Sequence, residues 1–387
     1  MRDVISGPDR REGGINTLSF WAKLAVITAV VISGLVFGAG FLIPLTFALI
    51  LFVLLTAVID WIAGQKIGDA PVPRWLAHII GILLVLTGLG ATLLILGNQA
   101  TGVSEALPRY EAKLAQIIAR LISAIGEENA KIVQDGIASL DYSAFAATTF
   151  NSASAFLSGF LLVLLYIPFL MSERAPMQEK LKLAAGDPET GLQIASILSD
   201  ISEGVQKYVG IKTVVSLITG LLSYAVMKPM GLDFAETWSV LTFMLNFIPS
   251  IGSVLAVIFP ALVALVQFDT LTPFLIIVFG CGIVQFTIGN ILEPALTGKS
   301  LNLSPFMVIL SLTFWTSIWG APGALLSVPI TVCVLIVFSH LPATRPVAIL
   351  MSGDGQLRSS SEPERPTLGK SKPPVNSQMA AQTGEAD

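Results

Sequence analysis

The stretch Asn246-Phe247-Ile248-Pro249-Ser250-Ile251-Gly252-Ser253 interrupts an apolar run, Thr237–Phe268, that contains no charged residue. A second uncharged run, Leu303–Ser339, is interrupted in the same way at Trp319-Gly320-Ala321-Pro322-Gly323. Proline removes a backbone donor and glycine permits sharp reversal, so neither run reads as one continuous helix. A bilayer tolerates broken helices only where they are buried in protein or line a watery cavity. A pair of Gly/Pro-interrupted apolar segments is the best sequence pointer to a transporter's binding site. The reading that follows is an all-α polytopic membrane protein. Its C-terminal half carries broken or re-entrant helical hairpins.

Composition agrees. Of 387 residues, 53% are hydrophobic and 12% charged, against about 25% charged in a soluble domain. The net charge of −4 offers nothing to nucleic acid. Cys281 and Cys333 both lie in apolar runs, so no disulfide framework, metal site or cofactor is expected. The polar start and long first apolar run argue against a cleavable signal peptide.

The chain divides accordingly. Residues 1–19 form a cytoplasmic N-terminus, 20–345 the transmembrane transporter domain, and 346–387 a disordered cytoplasmic tail poor in aromatic and β-branched residues. The uncharged stretch between Lys23 and Asp60 is too long for one crossing and carries Gly34, Gly38, Gly40 and Pro44 near its middle. It predicts spans at about 20–38 and 43–61 with a tight turn between them, both outer ends on one side. Further spans are expected at Trp75–Gly97, Ala153–Met171, Tyr208–Met227 and Phe274–Leu292. His78 is expected to be an interfacial residue bonded to backbone or water rather than a ligand or proton carrier. Residues 98–152 mix charges with a helical apolar stripe and predict an extracytoplasmic amphipathic insertion. Residues 172–207 predict cytoplasmic amphipathic helices whose Asp200, Glu203 and Lys207 form a solvated face. The positive-inside rule places both termini in the cytoplasm. Charge placement also favours a hairpin over a single crossing for 237–268, because Asp269 then stays outside and Lys299 and Arg345 fall inside.

An enzyme needs nucleophiles, bases or metal ligands in register, and no such motif is present. The absence of a Walker motif leaves transport down a gradient or coupled to an ion. Gln285, Gly289 and Glu293 stack on one helical face with Asn290 adjacent, a polar track for a solute or proton; the alternative is an interfacial Glu293 before the helix-ending Pro294. Asn246 beside Pro249, Gly252 and Ser253 reads as a functional turn, carbonyl-rich and amide-lined, suited to a neutral polar solute or small cation; the alternative is a structural turn that only reverses the chain. The candidate path or gate is thus Asn246, Pro249, Gly252, Ser253, Gln285, Asn290, Glu293, Gly320, Pro322 and Gly323. Thr213, Ser216, Thr219, Gly220 and Ser223 recur at helical spacing, for close helix packing or as path lining.

Three runs together, Asn246–Ser253, Glu293-Pro294 with Gly298-Lys299-Ser300-Leu301 and Pro305, and Trp319-Gly320-Ala321-Pro322-Gly323-Ala324-Leu325-Leu326-Ser327-Val328-Pro329, resemble the autoinducer-2 exporter family, also called PerM-like permeases. The resemblance covers about residues 15–345. Ser250 stands where an aromatic residue is common in that family, and Pro322 stiffens the second break. The resemblance implies a multi-pass protein of the bacterial inner membrane with about eight transmembrane segments, a homo-oligomer. It also implies export of autoinducer-2 in some members and sodium/proton exchange in others.

The expected function is export of a small, neutral, polar molecule, with the lipid bilayer, that solute and a coupling proton or sodium ion as partners. The alternatives are a sodium/proton antiporter, sustained by Asp60, Asp233 and Glu293, and a non-transporting membrane scaffold.

Overall fold

The computed structural model describes residues 10–67, 70–125, 142–297 and 302–357. Among them the regular structure is helical apart from one two-stranded β-ribbon, β1 (Lys66–Ile67) and β2 (Ala70–Pro71), that joins two helices, and one antiparallel bridge between Leu303 and Ser352. The helices are α1 (Arg10–Phe37), α2 (Ala39–Ala63), α3 (Arg74–Ile125), α4 (Tyr142–Ala184), α5 (Pro188–Met227), α6 (Ala235–Leu245), α7 (Ile251–Gln267), α8 (Leu271–Thr287), α9 (Glu293–Thr297), α10 (Pro305–His340) and α11 (Arg345–Met351). A π-helical turn, Ile288–Leu292, links α8 to α9. Five helical stretches among the described residues are long and apolar enough to cross a membrane. Large apolar side chains such as Phe279 and Ile283 face outward, as a lipid solvent requires.

The central element is α5. Asp187 caps its start, accepting from the Thr190 backbone N–H at 2.8 Å, with Pro188 at the first helical position. The backbone hydrogen bonds and the nearby Thr190 hydroxyl hold the Asp187 carboxyl below its usual range. Along α5 the small-residue stripe is packed. Ser216, Thr219, Gly220 and Ser223 are buried and Thr213 half-buried. At Gly220 an added methyl would lie 3.0 Å from the Ser239 carbonyl oxygen, so α6 crosses α5 closely there. Val205, Tyr208 and Val209 pack on Val328 and Val332 of α10, and Met227 packs with Ile277 and Cys281 of α8.

The run 237–268 folds back on itself. Gln267 accepts from the Asp233 backbone N–H at 2.7 Å and donates to the Gly231 carbonyl at 2.7 Å, so the two ends meet. Trp238 and Phe259 face each other across the arms, ring centroids 6.3 Å apart. The run 303–339 does the same. Gly320 takes φ 61° and ψ −140°, a left-handed conformation that breaks α10 into two arms. Met307 of the first arm joins Leu335, Val334 and Phe338 of the second.

Three expectations need correction. No tight reversal joins the first two spans. Gly38 has φ −81° and ψ 0°, and helical bonds continue on both sides of it, from Gly38 N–H to Gly34 and from Leu42 N–H to Gly38. The joint is a bend, and the two helices are not folded back on each other there. The tail expected from 346 is ordered at its start: Arg345–Met351 is a helix that buries Ala348 and Met351, and Ser304 N–H donates to the Met351 carbonyl at 3.0 Å. The remainder of that tail, residues 358–387, lies outside the described residues, as do 126–141 of the amphipathic insertion. Finally, Asp200 is not on a merely solvated face. It lies 3.1 Å from His340 Nε2 at the foot of the second hairpin, its side chain 9% exposed.

The first part of the amphipathic insertion is continuous with the preceding span, since α3 runs from Arg74 to Ile125 through the boundary between them. Its outer part docks on the root of the first hairpin. Arg109 pairs with Asp233, and Lys113 with Asp269. The Tyr110 hydroxyl donates to Asp233 at 2.8 Å. Gly102 faces Phe234, which itself sits at φ 58°. Burial, then the neighbouring Asp233, pushes the Tyr110 phenol up to about 12. His78 Nδ1 lies 2.6 Å from the Arg74 carbonyl, the backbone bond expected of it.

Candidate functional site

The first break is built from its sequence. Pro249 cannot donate, Ser250 is forced to φ 60° and ψ −54°, and Ile251 begins the second arm. The cost of this backbone is offset by close packing. Asn246, 4% exposed, donates from Nδ2 to Ser216 Oγ at 3.1 Å and ties the break to α5. A methyl group on Gly252 would lie 2.7 Å from the Leu245 carbonyl carbon and closer still to its oxygen. The glycine is therefore required by the approach of the two arms.

Around this break lies a cleft of about 700 Å3. One wall is the break itself, with Asn246, Ile248, Pro249, Ser250 and Ser253. The facing wall is α8 and its π-helical turn, with Gly282, Gln285, Phe286, Gly289, Asn290 and Glu293. Tyr208 and Lys212 of α5 contribute a third side, and Val308 and Val328 of the second hairpin a fourth. The π turn precedes Pro294, whose missing N–H and bulky ring would otherwise disturb a regular helix. Such single π turns recur at functional sites because they shift a helix's register locally.

The polar equipment is uneven. Gln285 is 8% exposed and its Nε2 has no hydrogen-bond partner among the described residues. A buried amide donor without a partner is costly unless something else supplies the acceptor. Asn290 bonds back to the Phe286 carbonyl at 3.0 Å. Lys212 Nζ donates to Glu293 Oε1 at 2.6 Å, the two side chains 9% and 28% exposed. Two opposite charges taken out of water together are tolerable where either alone would not be. The start of α7 opens on the cleft, so the positive end of its peptide dipoles faces any oxygen placed there.

Of the residues singled out from sequence, Asn246, Pro249, Ser253, Gln285, Asn290 and Glu293 share this cleft. Gly252 does not line it and instead holds the arms together. Gly320, Pro322 and Gly323 sit at the tip of the other hairpin, where Trp319 Nε1 donates to the Leu35 carbonyl of α1 at 3.0 Å. A methyl on Gly323 would lie 2.6 Å from the Trp315 carbonyl carbon, repeating the Gly252 arrangement. Thr213, Ser216, Thr219, Gly220 and Ser223 do not line the cleft either. Sequence reasoning missed Tyr208 and Lys212. The signal was present for Lys212, the sole charged residue between Tyr208 and Met227, because an ionisable group within a span marks a functional site by default.

The AI-2E family transporter description matches residues 25–343. The chain belongs to the AI-2E transporter family. This family member is 31% identical over 342 residues to the AI-2 transport protein TqsA of Escherichia coli, covering 87% of this chain and 96% of that one. It is 32% identical over 311 residues to a transport-protein candidate of Borreliella burgdorferi, covering 80% and 84%. Against PerM, a permease candidate of Escherichia coli, the identity is 24% over 324 residues, covering 79% and 89%. The AI-2E assignment makes the chain a membrane transporter, and the matched residues span the cleft and both hairpins.

Proposed function

We propose that the chain exports a small, uncharged, polar molecule, akin to the autoinducer-2 signal, across a bacterial inner membrane through the cleft beside Asn246. The observation that carries this reading is the cleft itself. It is large enough for a small solute, amide- and hydroxyl-lined around the first break, and apolar at Val254, Val257, Ile258 and Phe286. The α6–α7 hairpin reads as re-entrant. Its arms of 11 and 17 residues extend only ~16 Å and ~25 Å, short of a ~30 Å hydrocarbon core. The name of TqsA supports an autoinducer-2-like solute. The test compares small molecules in the medium of cells with and without the protein. Export predicts at least one uncharged hydroxylated compound enriched outside expressing cells and lost with Asn246→Ala. Identical media would refute it.

A sodium/proton exchanger is the second reading, favoured by a carboxylate, Glu293, inside the cleft. Each acid that sustained it is held by a cation: Asp60 by Arg174 at 3.3 Å, Asp233 by Arg109, and Glu293 by Lys212. A pH-sensitive dye inside proteoliposomes separates the readings. Acidification or alkalinisation on adding sodium would support exchange, and a flat trace would remove it.

A further inference from the structure

The cleft contains two ionisable groups of opposite sign, Lys212 and Glu293, and they are bonded to each other. The same cleft is lined by Gln285, whose amide Nε2 has no hydrogen-bond partner among the described residues. A solute entering this space meets zero net side-chain charge, a waiting amide donor, and an ion pair whose internal contact it does not need to break. A charged solute entering the same space leaves its hydration behind and gains no free side-chain counter-charge; the start of α7 offers an anion only about half a unit of positive charge. That is the arrangement in which desolvation is not repaid. An uncharged molecule bearing a carbonyl or hydroxyl oxygen loses less and satisfies Gln285.

From this we infer that the Lys212–Glu293 pair is the charge filter of the cleft: it determines that the transported molecule is uncharged, and Gln285 receives an acceptor oxygen of that molecule. The inference rests on the cleft being the solute path. It assigns these residues to specificity and is independent of the direction of transport. Removing one member of the pair leaves the other as an isolated charge in a confined, poorly solvated space, and this inverts the preference. Glu293→Gln makes the cleft attract anions, and Lys212→Met makes it attract cations.

The filter is read without knowing the natural solute. Ser253 lines the cleft, so Ser253→Cys places a thiol there. The full-length protein in membrane vesicles is treated with three methanethiosulfonates: a neutral methyl, an anionic sulfonatoethyl and a cationic trimethylammonium-ethyl reagent. Each rate is divided by that reagent's rate with free cysteine. The chain without the substitution supplies the background from Cys281 and Cys333. With the pair intact, the neutral reagent leads and both charged reagents lag. Glu293→Gln raises the anionic-to-cationic ratio about tenfold and Lys212→Met lowers it about tenfold, the effect of one unscreened charge. The swapped pair, Lys212→Glu with Glu293→Lys, restores the parent ratio. Equal normalised rates for all three reagents with the pair intact would overturn the filter, and that result needs no variant of the pair to fold. So would a ratio unmoved by both single substitutions. Failure of every reagent to reach the introduced thiol would instead show that the cleft is dry, and would remove the transport path together with the filter.

Discussion

Substituting Gly252 by alanine is the sharpest check on how the first hairpin is held. The added carbon would stand 2.7 Å from the Leu245 carbonyl carbon and 3.3 Å from Ile248 Cβ. Carbon atoms settle at about 3.5–4.0 Å, so the arms must part by about 1 Å. A gap of that size forfeits a quarter to a half of each dispersion contact it opens. Overpacking of this kind costs about 1–3 kcal/mol, and backbone yields less readily than a side-chain tip. We therefore expect about 3 kcal/mol, a shift of more than a hundredfold in the folding equilibrium. The assay is thermal unfolding of the detergent-solubilised protein, followed as loss of the monodisperse species on size exclusion. Gly210→Ala is the control, because a methyl there meets nothing within 4 Å. The reasoning predicts a melting point several degrees lower for Gly252→Ala and unchanged or higher for Gly210→Ala. Equal melting points for Gly252→Ala and the parent would refute it.

Asn246→Ala leaves Ser216 Oγ without its donor at a buried site, and should cost about 1–3 kcal/mol on the same melting assay. Trp319→Phe removes the bond from Nε1 to the Leu35 carbonyl, and should lower stability by about 1 kcal/mol while loosening α1, visible as faster proteolysis near residue 38. Tyr110 is held neutral by burial and by Asp233, its folded value pushed up to about 12. A folded value above the unfolded one means that the contribution is complete below about pH 10 and fades as pH rises towards 12. The difference between phenolate absorbance titrations of the parent and Tyr110→Phe should therefore show a late step. A step near the ordinary tyrosine value would contradict the docking of α3 on the hairpin root.

Both breaks were legible because proline and glycine inside an uncharged run permit few structures. The face joining Gln285, Gly289 and Glu293 was legible for a similar reason, since helical spacing alone places them together, and the π turn rotates that face without dispersing it. What escaped depends on partners distant in sequence. Glu293 lies 81 positions from Lys212, so no local pattern shows that the two charges cancel. Asp200 looked solvated because His340 is brought to it only by the second hairpin. The Gly-rich segment around Gly38 resembled a turn, yet helical hydrogen bonds on either side carried the chain onward. At the C-terminus, the polar composition of 345–387 as a whole hid a short apolar helix that begins with Pro346 in its first turn.

The two tips share one consequence. With glycine backed directly against a carbonyl of the opposite arm, at Gly252 and again at Gly323, neither hairpin has slack at its apex. Each behaves as a single stiff blade that cannot splay without unzipping. Compliance is left to the hilts: Gly231 and Phe234 at φ 69° and 58° below the first, and Asn302 at φ 43° below the second. Any movement of one blade against the other is then a tilt about these pivots.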